Sequence, residues 1–423
     1  MATLSDHARV ATESRVLRTM EDALEHVHAI CFKTGPPRRV GVELEWLLHR
    51  LDDPASPLDL TRLRHALGPH APPALDPDSP HEPLPHGGTV TLEPGGQLEI
   101  STPPAVSLSE LHRTTEADLA YLTSLLDRAG LGLGDTGIDP HRPPRRLLHT
   151  PRYDAMAAAF ALHGSAGLTM MCATAATQVC LDAGEAAATP SGGGSESLSQ
   201  VSQRWRAVHQ LGPVLVALFA NSARHAGRDT GWASARMRTW LATDPTRTAP
   251  VPVGPDPATA WGRYAVAAPL LCLRRPGGGW SAPAGVTFAD WLAGALAPAP
   301  TVEDLEYHLG TLFPPVRPRG YLELRFLDAQ PPGEWFVPVA VVAALLADPD
   351  RGAAAAERAA PVASAWQEAA RFGLAHPGIR AAAAAVAELA MAALDRLELT
   401  APVREQVTVT VGRRLAGGKG ATR

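Results

Sequence analysis

The sequence has 423 residues, 45% of them hydrophobic and 19% charged, which is enough for a large buried core in one big domain or two smaller ones. Thirty-eight basic against forty-three acidic residues give a formal net charge of -5 at pH 7, and no long basic run is present to track a phosphate backbone, so nucleic acid is excluded as an expected partner. Lysine occurs only at Lys33 and Lys419, and neither stands before a Ser or Thr that opens a helix; a lysine-bearing P-loop is excluded, and a bound nucleotide must be held by arginines, backbone and metal.

Cys31, Cys172, Cys180 and Cys272 form no CxxC pair, which excludes a zinc ribbon and a thioredoxin-like motif and leaves them as small buried apolar residues. Met1 to Arg9 lacks a positive start followed by an apolar stretch, and no uninterrupted apolar run reaches the roughly 20 residues that span a bilayer. The expectation is a soluble protein of a reducing, cytoplasmic setting, with no membrane partner.

Thr12 to Ile30 carries Val16, Leu17, Met20, Leu24 and Val27 at helical spacing, and Pro36-Pro37 ends that pattern. Val40 to Leu48 then alternates as a strand, with Val40, Val42, Leu44 and Trp46 on one side and Gly41, Glu43 and Glu45 on the other. Pro69 to Gly88 reads as an irregular loop with His70, His81 and His86 solvated. Thr89 to Thr102 alternates again across a Gly95-Gly96 turn, with Gln97, Glu99 and Ser101 opposite Leu98 and Ile100 and with Glu93 facing the same space. Ser107 to Gly130 is a helix with a serine cap and a glycine end.

Thr169 to Asp182 fits a strand with one polar face (Thr174, Gln178, Asp182), although its alanines leave a helix open. Ala187 to Ser199 is a Ser/Gly-rich connection and Val201 to Phe219 a helix. Arg224 to Thr248 combines turn formers, arginines and two tryptophans, as an ordered loop and helix over a pocket would. Arg319 to Asp328 alternates once more, with Tyr321, Glu323 and Arg325 facing away from Leu322, Leu324 and Phe326. Trp335 to Leu346, Ala353 to Phe372 and Ile379 to Leu397 are Ala/Leu-rich helices for the apolar side of the sheet. With no repeat and no clean linker, residues 1–423 read as one catalytic domain with the helical segment of about 335–400 packed on it.

Several strands thus place acidic or amide groups opposite an apolar side. An exposed sheet face normally carries charge, but a solvated face mixes acids with lysine, whereas here Glu43, Glu45, Glu99 and Glu323 accompany only arginine. Carboxylates held together repel unless a cation lies between them, and an all-oxygen set suits Mg²⁺ or Mn²⁺. Magnesium on such a face would bridge a polyphosphate, with arginines offsetting the remaining charge. Paired carboxylates also fit a glycosidase, but the additional acids and the amide of Gln97 favour metal. Gly164-Ser165-Ala166-Gly167 lacks the spacing of a nucleophile elbow, Gly417-Gly418-Lys419-Gly420 is a terminal loop, and His163 and His308 are weak acid-base candidates.

Gly41-Val42-Glu43-Leu44-Glu45, Glu93-Pro94-Gly95-Gly96-Gln97-Leu98-Glu99-Ile100-Ser101, and Met170-Met171 through Thr174 to Gln178-Val179 with Asp182 resemble, in this order, glutamate-cysteine ligases of the plant and proteobacterial type. Ala220-Asn221-Ser222, Gly231-Trp232 with Ser234 and Arg236, Trp240, Asp244 with Arg247-Thr248, and Tyr321-Leu322-Glu323-Leu324-Arg325 with Asp328 continue the resemblance, which spans Gly41 to Gln330. Within that group the chain is most similar to the actinobacterial branch that makes γ-glutamylcysteine for ergothioneine biosynthesis. It departs from the plant enzymes at Ala173, where they place an arginine, so another group must take over any substrate grip made there.

The resemblance implies an α+β, glutamine-synthetase-like fold in which a curved, mostly antiparallel sheet forms a funnel-shaped active site backed by helices. It implies that ATP phosphorylates the γ-carboxylate of L-glutamate and that the amine of L-cysteine attacks the acyl phosphate. Phosphorylation removes the charge that repels the amine and creates a leaving group; Mg²⁺ and arginine offset the repulsion between carboxylate and triphosphate. On this basis Glu43, Glu45, Glu93, Glu99 and Glu323 are the expected metal ligands. Gln97 is an orienting or ligand-contacting amide, Arg247 holds the glutamate α-carboxylate, Arg236 and Arg325 face phosphate or acyl phosphate, and Thr174 and Gln178 line the substrate pocket. The alternatives are a carboxylate-amine ligase with a different amine acceptor and a non-catalytic nucleotide-binding homologue. Oligomeric state is left open.

Overall fold

A computed structural model describes residues 15–33, 39–184, 200–275 and 277–417. Its centre is a six-stranded sheet of β1 (Val40–Trp46), β2 (Thr89–Leu92), β3 (Leu98–Ser101), β4 (Ala176–Leu181), β5 (Val316–Pro318) and β6 (Leu322–Asp328), in the spatial order β2-β3-β1-β4-β6-β5. Every neighbouring pair runs antiparallel. Helices make up most of the rest, so the α+β class and the antiparallel sheet expected from the sequence are both present.

The period-two patterns decide which way each strand faces. Val42, Leu44 and Trp46 of β1, Leu98 and Ile100 of β3, Val179 of β4 and Leu322 and Leu324 of β6 are buried in one continuous core. Against it pack the helices Gln200–Leu218, Phe336–Leu345, Pro349–Ala359 and Pro377–Leu394. A tight approach fixes the Trp366–Phe372 helix here: a Cβ on Gly212 would lie 2.0 Å from the Trp366 ring, so that position must be glycine. Helix Pro377–Leu394 is long and apolar enough by length and composition to cross a membrane, but Ile379, Ala383, Val386 and Ala390 place one of its faces in this core.

Several expected elements are corrected. The first helix runs Met20–Cys31 rather than from Thr12, because Thr19 and Asp22 close a reciprocal capping box; Val16 precedes it and bridges to Thr301 instead. Thr169 to Asp182 is not one strand. Its first half belongs to a buried helix, Ala166–Ala173, and β4 starts only at Ala176. Ala353 to Phe372 is broken at Ala360–Val362, where Pro361 interrupts the backbone ladder. A helix at Ala401–Gly417 extends past the expected helical segment. His70 is buried, bonding the Glu82 carbonyl and Tyr121 hydroxyl, and His81 bonds the Val90 carbonyl, so neither is a solvated loop residue. The Met1 to Arg9 start, Pro36-Pro37, the Ala187 to Ser199 connection and Lys419 lie outside the described residues.

Candidate active site

Antiparallel register sets the layout of the polar face. Glu45 of β1 lies opposite Glu99 of β3, Glu43 opposite Gln178 of β4, and Cys180 of β4 opposite Glu323 of β6. Side chains so opposed have Cβ atoms about 5 Å apart. Glu93 comes from the β2-β3 hairpin, where Glu93 and Gln97 exchange a backbone hydrogen bond and Gly96 takes a left-handed φ of 87°. Gly95 presses this hairpin onto the Ala166–Ala173 helix: a Cβ there would lie 2.0 Å from the Cys172 carbonyl oxygen. Glu43, Glu45, Glu93, Glu99 and Glu323, five residues from distant parts of the chain, therefore share one shielded face.

That face is strained electrostatically. Burial, with repulsion from Glu323 and Glu99, pushes Glu43 up to about 8. Burial, then Glu93, pushes Glu45 up to about 7; burial, then Glu99, does the same for Glu93, also to about 7. Glu99 is raised by burial and by Glu45, even though the Thr91 hydroxyl donates to it at 2.6 Å. Glu323 is the exception. Burial would raise it, but Arg317, Arg325 and Arg319 outweigh burial and hold it well below the usual carboxylate range. Its Oε2 accepts from Arg317 Nε at 2.7 Å and from Arg325 Nη1 at 2.8 Å.

The donor set fits a divalent cation. Glu323 Oε1 is buried with no hydrogen-bond partner, a condition that costs about 1–3 kcal/mol unless something charged or polar meets it. One donor atom from each of Glu43, Cys180 and Glu323 lies within 4.8 Å of the others. Four carboxyl groups lifted towards or past neutrality by one another and by burial would be relieved by the same cation.

Gln178 and Arg325 tie the acids together. The Gln178 amide donates to Glu45 Oε1 at 2.7 Å and accepts from Arg325 Nη1 at 2.6 Å, while the Ala176 N–H donates to Glu45 Oε2 at 2.9 Å. Arg325 stacks over the Trp240 ring at 5.5 Å, with Arg236 over the same ring at 4.9 Å.

The other expected site residues fall elsewhere. Arg236 is buried behind the face: its Nη2 donates to the Arg325 carbonyl at 2.7 Å and its Nη1 lies 3.9 Å from Asp328. It supports Arg325 rather than facing phosphate. Gln97 spends its amide on backbone, donating to the Met171 and Thr174 carbonyls and accepting from Gly95 N–H, which leaves the orienting role and no ligand contact. Thr174 caps the Ala166–Ala173 helix by donating to the Met170 carbonyl at 2.7 Å and is a framework residue. Arg247 is the plainest correction. It is 2% exposed and donates to Asp244 Oδ2 and to the Thr311 and Pro269 carbonyls, so its guanidinium is committed as a staple between loops. His308 is buried on the Ala265 carbonyl and pushed down by burial to about 4, and His163 is exposed, 4.0 Å from Asp244.

The motif around Asn221 to Arg236 proves architectural. Asp328 accepts from the Ser222 hydroxyl at 2.7 Å, the Ser234 hydroxyl at 2.8 Å and the Asn221 N–H at 2.8 Å, which binds that segment to the end of β6. Sequence reasoning missed Arg317, because Pro314, Pro315 and Pro318 disguise β5, and it missed Arg152, whose charge reaches Glu93. Arg152 could have been found from Thr150-Pro151, a capped helix start beside the Glu93 turn.

A family model described as "Glutamate-cysteine ligase family 2 (GCS2)" matches residues 39–421. The chain is 40% identical over 381 residues to "Glutamate--cysteine ligase EgtA" of Mycolicibacterium smegmatis, covering 88% of this chain and 84% of that one. Its similarity to the EgtA of Mycobacterium tuberculosis H37Rv is 40% over 368 residues, covering 84% and 78%. To the chloroplastic glutamate-cysteine ligase of Medicago truncatula it is 32% identical over 252 residues, 57% of this chain and 47% of the plant protein.

Proposed function

This chain belongs to glutamate-cysteine ligase family 2, and from that membership we propose that it joins the γ-carboxylate of L-glutamate to the amine of L-cysteine at the expense of ATP, making γ-glutamylcysteine, ADP and phosphate for ergothioneine biosynthesis. The observation that carries the reading is the convergence of Glu43, Glu45, Glu93, Glu99 and Glu323 on one sheet face beside Arg325, with Glu43 and Glu323 buried and the other three half-buried. A ligase of this kind must bring a carboxylate up to a triphosphate, and a face of mutually repelling carboxylates is the surface that gains most from the cations a nucleotide brings.

In this proposal the five glutamates hold the divalent metal, Mg²⁺ by the oxygen character of the set, which when bound neutralises phosphate charge and polarises the transferring phosphoryl group. Glu323 stays ionised at any working pH because two arginines hold it, so it anchors the set. Burial and mutual repulsion raise Glu43, Glu45 and Glu93 towards neutrality, so these carboxyl groups would complete the ligand set by giving up their protons with a cation bound. Arg325, fixed by Gln178 and Glu323 and kept charged by Glu323, offsets the negative charge that develops on the acyl phosphate. Arg236 positions Arg325 through its carbonyl and the shared Trp240 ring. The γ-carboxylate of glutamate is phosphorylated there, and the cysteine amine displaces phosphate.

The test is formation of γ-glutamylcysteine and phosphate from ATP, glutamate and cysteine, with and without magnesium. The product should require all three substrates and the metal. Phosphate release stimulated by another amine but not by cysteine would move the protein to a different acceptor, and nucleotide binding without turnover would make it a non-catalytic homologue.

A further inference from the structure

Cys180 differs from the other three cysteines, which are buried: it is only partly shielded, and among the described residues it is the cysteine whose sulfur is grouped with two carboxylate oxygens. On β4 it lies between Gly41 of β1 and Glu323 of β6. Gly41 puts no side chain beside it, and an added Cβ there would lie 3.9 Å from Cys180 Cβ, with Thr102 and Pro104 bordering the same space. The sulfur, a Glu43 oxygen and a Glu323 oxygen are mutually within 4.8 Å. Independently, Glu323 is fully buried with Oε2 committed to two arginines and Oε1 without a partner.

We propose that Glu43, Cys180 and Glu323 form a binding site for a thiophilic divalent cation of the zinc and cadmium class, with the cysteine sulfur as one ligand. Two carboxylates alone suit a hard ion, and the sulfur changes the preference, because borderline and soft ions bind thiolate far more strongly than magnesium does. Three protein donors with a fourth position open to water is the arrangement zinc takes in reactive sites. Binding breaks the S–H bond, and the O–H bond wherever Glu43 is protonated, passes the protons to buffer and forms a sulfur–metal bond, with no change of oxidation state. Two carboxylates and a thiolate leave one negative charge over the cation, and Arg317 and Arg325 on Glu323 face it. The site overlaps the oxygen ligands assigned above to the metal of the ligase reaction, so on that reading a thiophilic ion competes with magnesium.

The test uses the whole chain, stripped of metal and without nucleotide. Titration with cadmium chloride should give a thiolate-to-cadmium charge-transfer band that saturates at one ion per chain. Cys180→Ser should abolish the band, Cys272→Ser should keep it, and Glu43→Gln should weaken cadmium binding at least about tenfold. On the unmutated protein loaded with one zinc, X-ray absorption should find a sulfur neighbour at about 2.3 Å, a readout that does not depend on any variant folding. A band that survives Cys180→Ser, or zinc bound without sulfur, would overturn the proposal. Neither measurement involves turnover, so the ligase reading and this one fail separately.

Discussion

Replacing Glu43 with Gln tests whether the acidic face is held under repulsion. The unfolded chain gives Glu43 its ordinary value near 4.5, and the fold raises it to about 8. Between these values the folded state binds the proton more tightly, so stability falls as pH rises and levels off only above the folded pKa. From pH 7 to pH 9, a group with a folded pKa of about 8 loses about 1.4 kcal/mol of its contribution. Gln has nearly the same shape and cannot ionise. Urea denaturation of metal-free protein should therefore show the wild type losing at least about 1.4 kcal/mol more than Glu43→Gln over that interval, since the variant also relieves Glu93 and only titrations remote from Glu43 cancel. Millimolar magnesium should shrink the wild-type loss more than that of the variant, which keeps the other four carboxyl groups. Parallel pH profiles for the two proteins, or a wild type that gains stability towards pH 9, would refute the reasoning.

Glu99→Gln should leave the fold intact and cut ATP turnover by at least about a hundredfold; near-normal rates would remove it from the metal shell. Arg247→Ala should lower stability by about 3 kcal/mol through the lost staple to Thr311 and Pro269, with an unchanged KM for glutamate in the folded enzyme. A raised glutamate KM at full stability would return that arginine to the substrate site. Arg317→Ala removes one of two partners of a fully buried carboxylate and should lower the unfolding free energy from urea titration by about 3–5 kcal/mol; a change below about 1 kcal/mol would mean that Arg325 alone suffices. Asp328→Ala strips an acceptor from Ser222, Ser234 and the Asn221 N–H and should destabilise by about 3 kcal/mol in the same assay; a loss below 1 kcal/mol would remove Asp328 as the tie between that segment and β6.

What could be read in the sequence was whatever depends on local periodicity. Glu43, Glu45, Glu99 and Glu323 alternate with buried aliphatics, and strand geometry alone puts them opposite the core. Order along the sheet could not be read, because β1 pairs with β4 and β4 with β6 through contacts made across long stretches of chain. The same limit explains Arg247: an Arg-Thr pair looks like an anion grip in a linear motif, while its three acceptors come from Asp244, Pro269 and Thr311. Thr169 to Asp182 misled for a different reason. Its small and β-branched residues fit a strand or a buried helix equally, and the press of Gly95 against Cys172 goes with the helix. Cys180 drew no notice as one of four cysteines, since nothing local marks the carboxylate that lies across from it.

The interleaving of early and late strands has a consequence for how the protein is made. β1 has both of its ladder partners only after β4 is synthesised, and Glu323 joins the acidic face only when β6 emerges, 280 residues after Glu43. At about 5–20 residues per second, the ribosome keeps Glu43 waiting for roughly a quarter of a minute to a minute. During that interval β1 can pair with β3 and then with β4, but the β4 edge that receives β6 stays open, so chaperone occupancy should concentrate on the first two hundred residues and fall once β6 has left the exit tunnel.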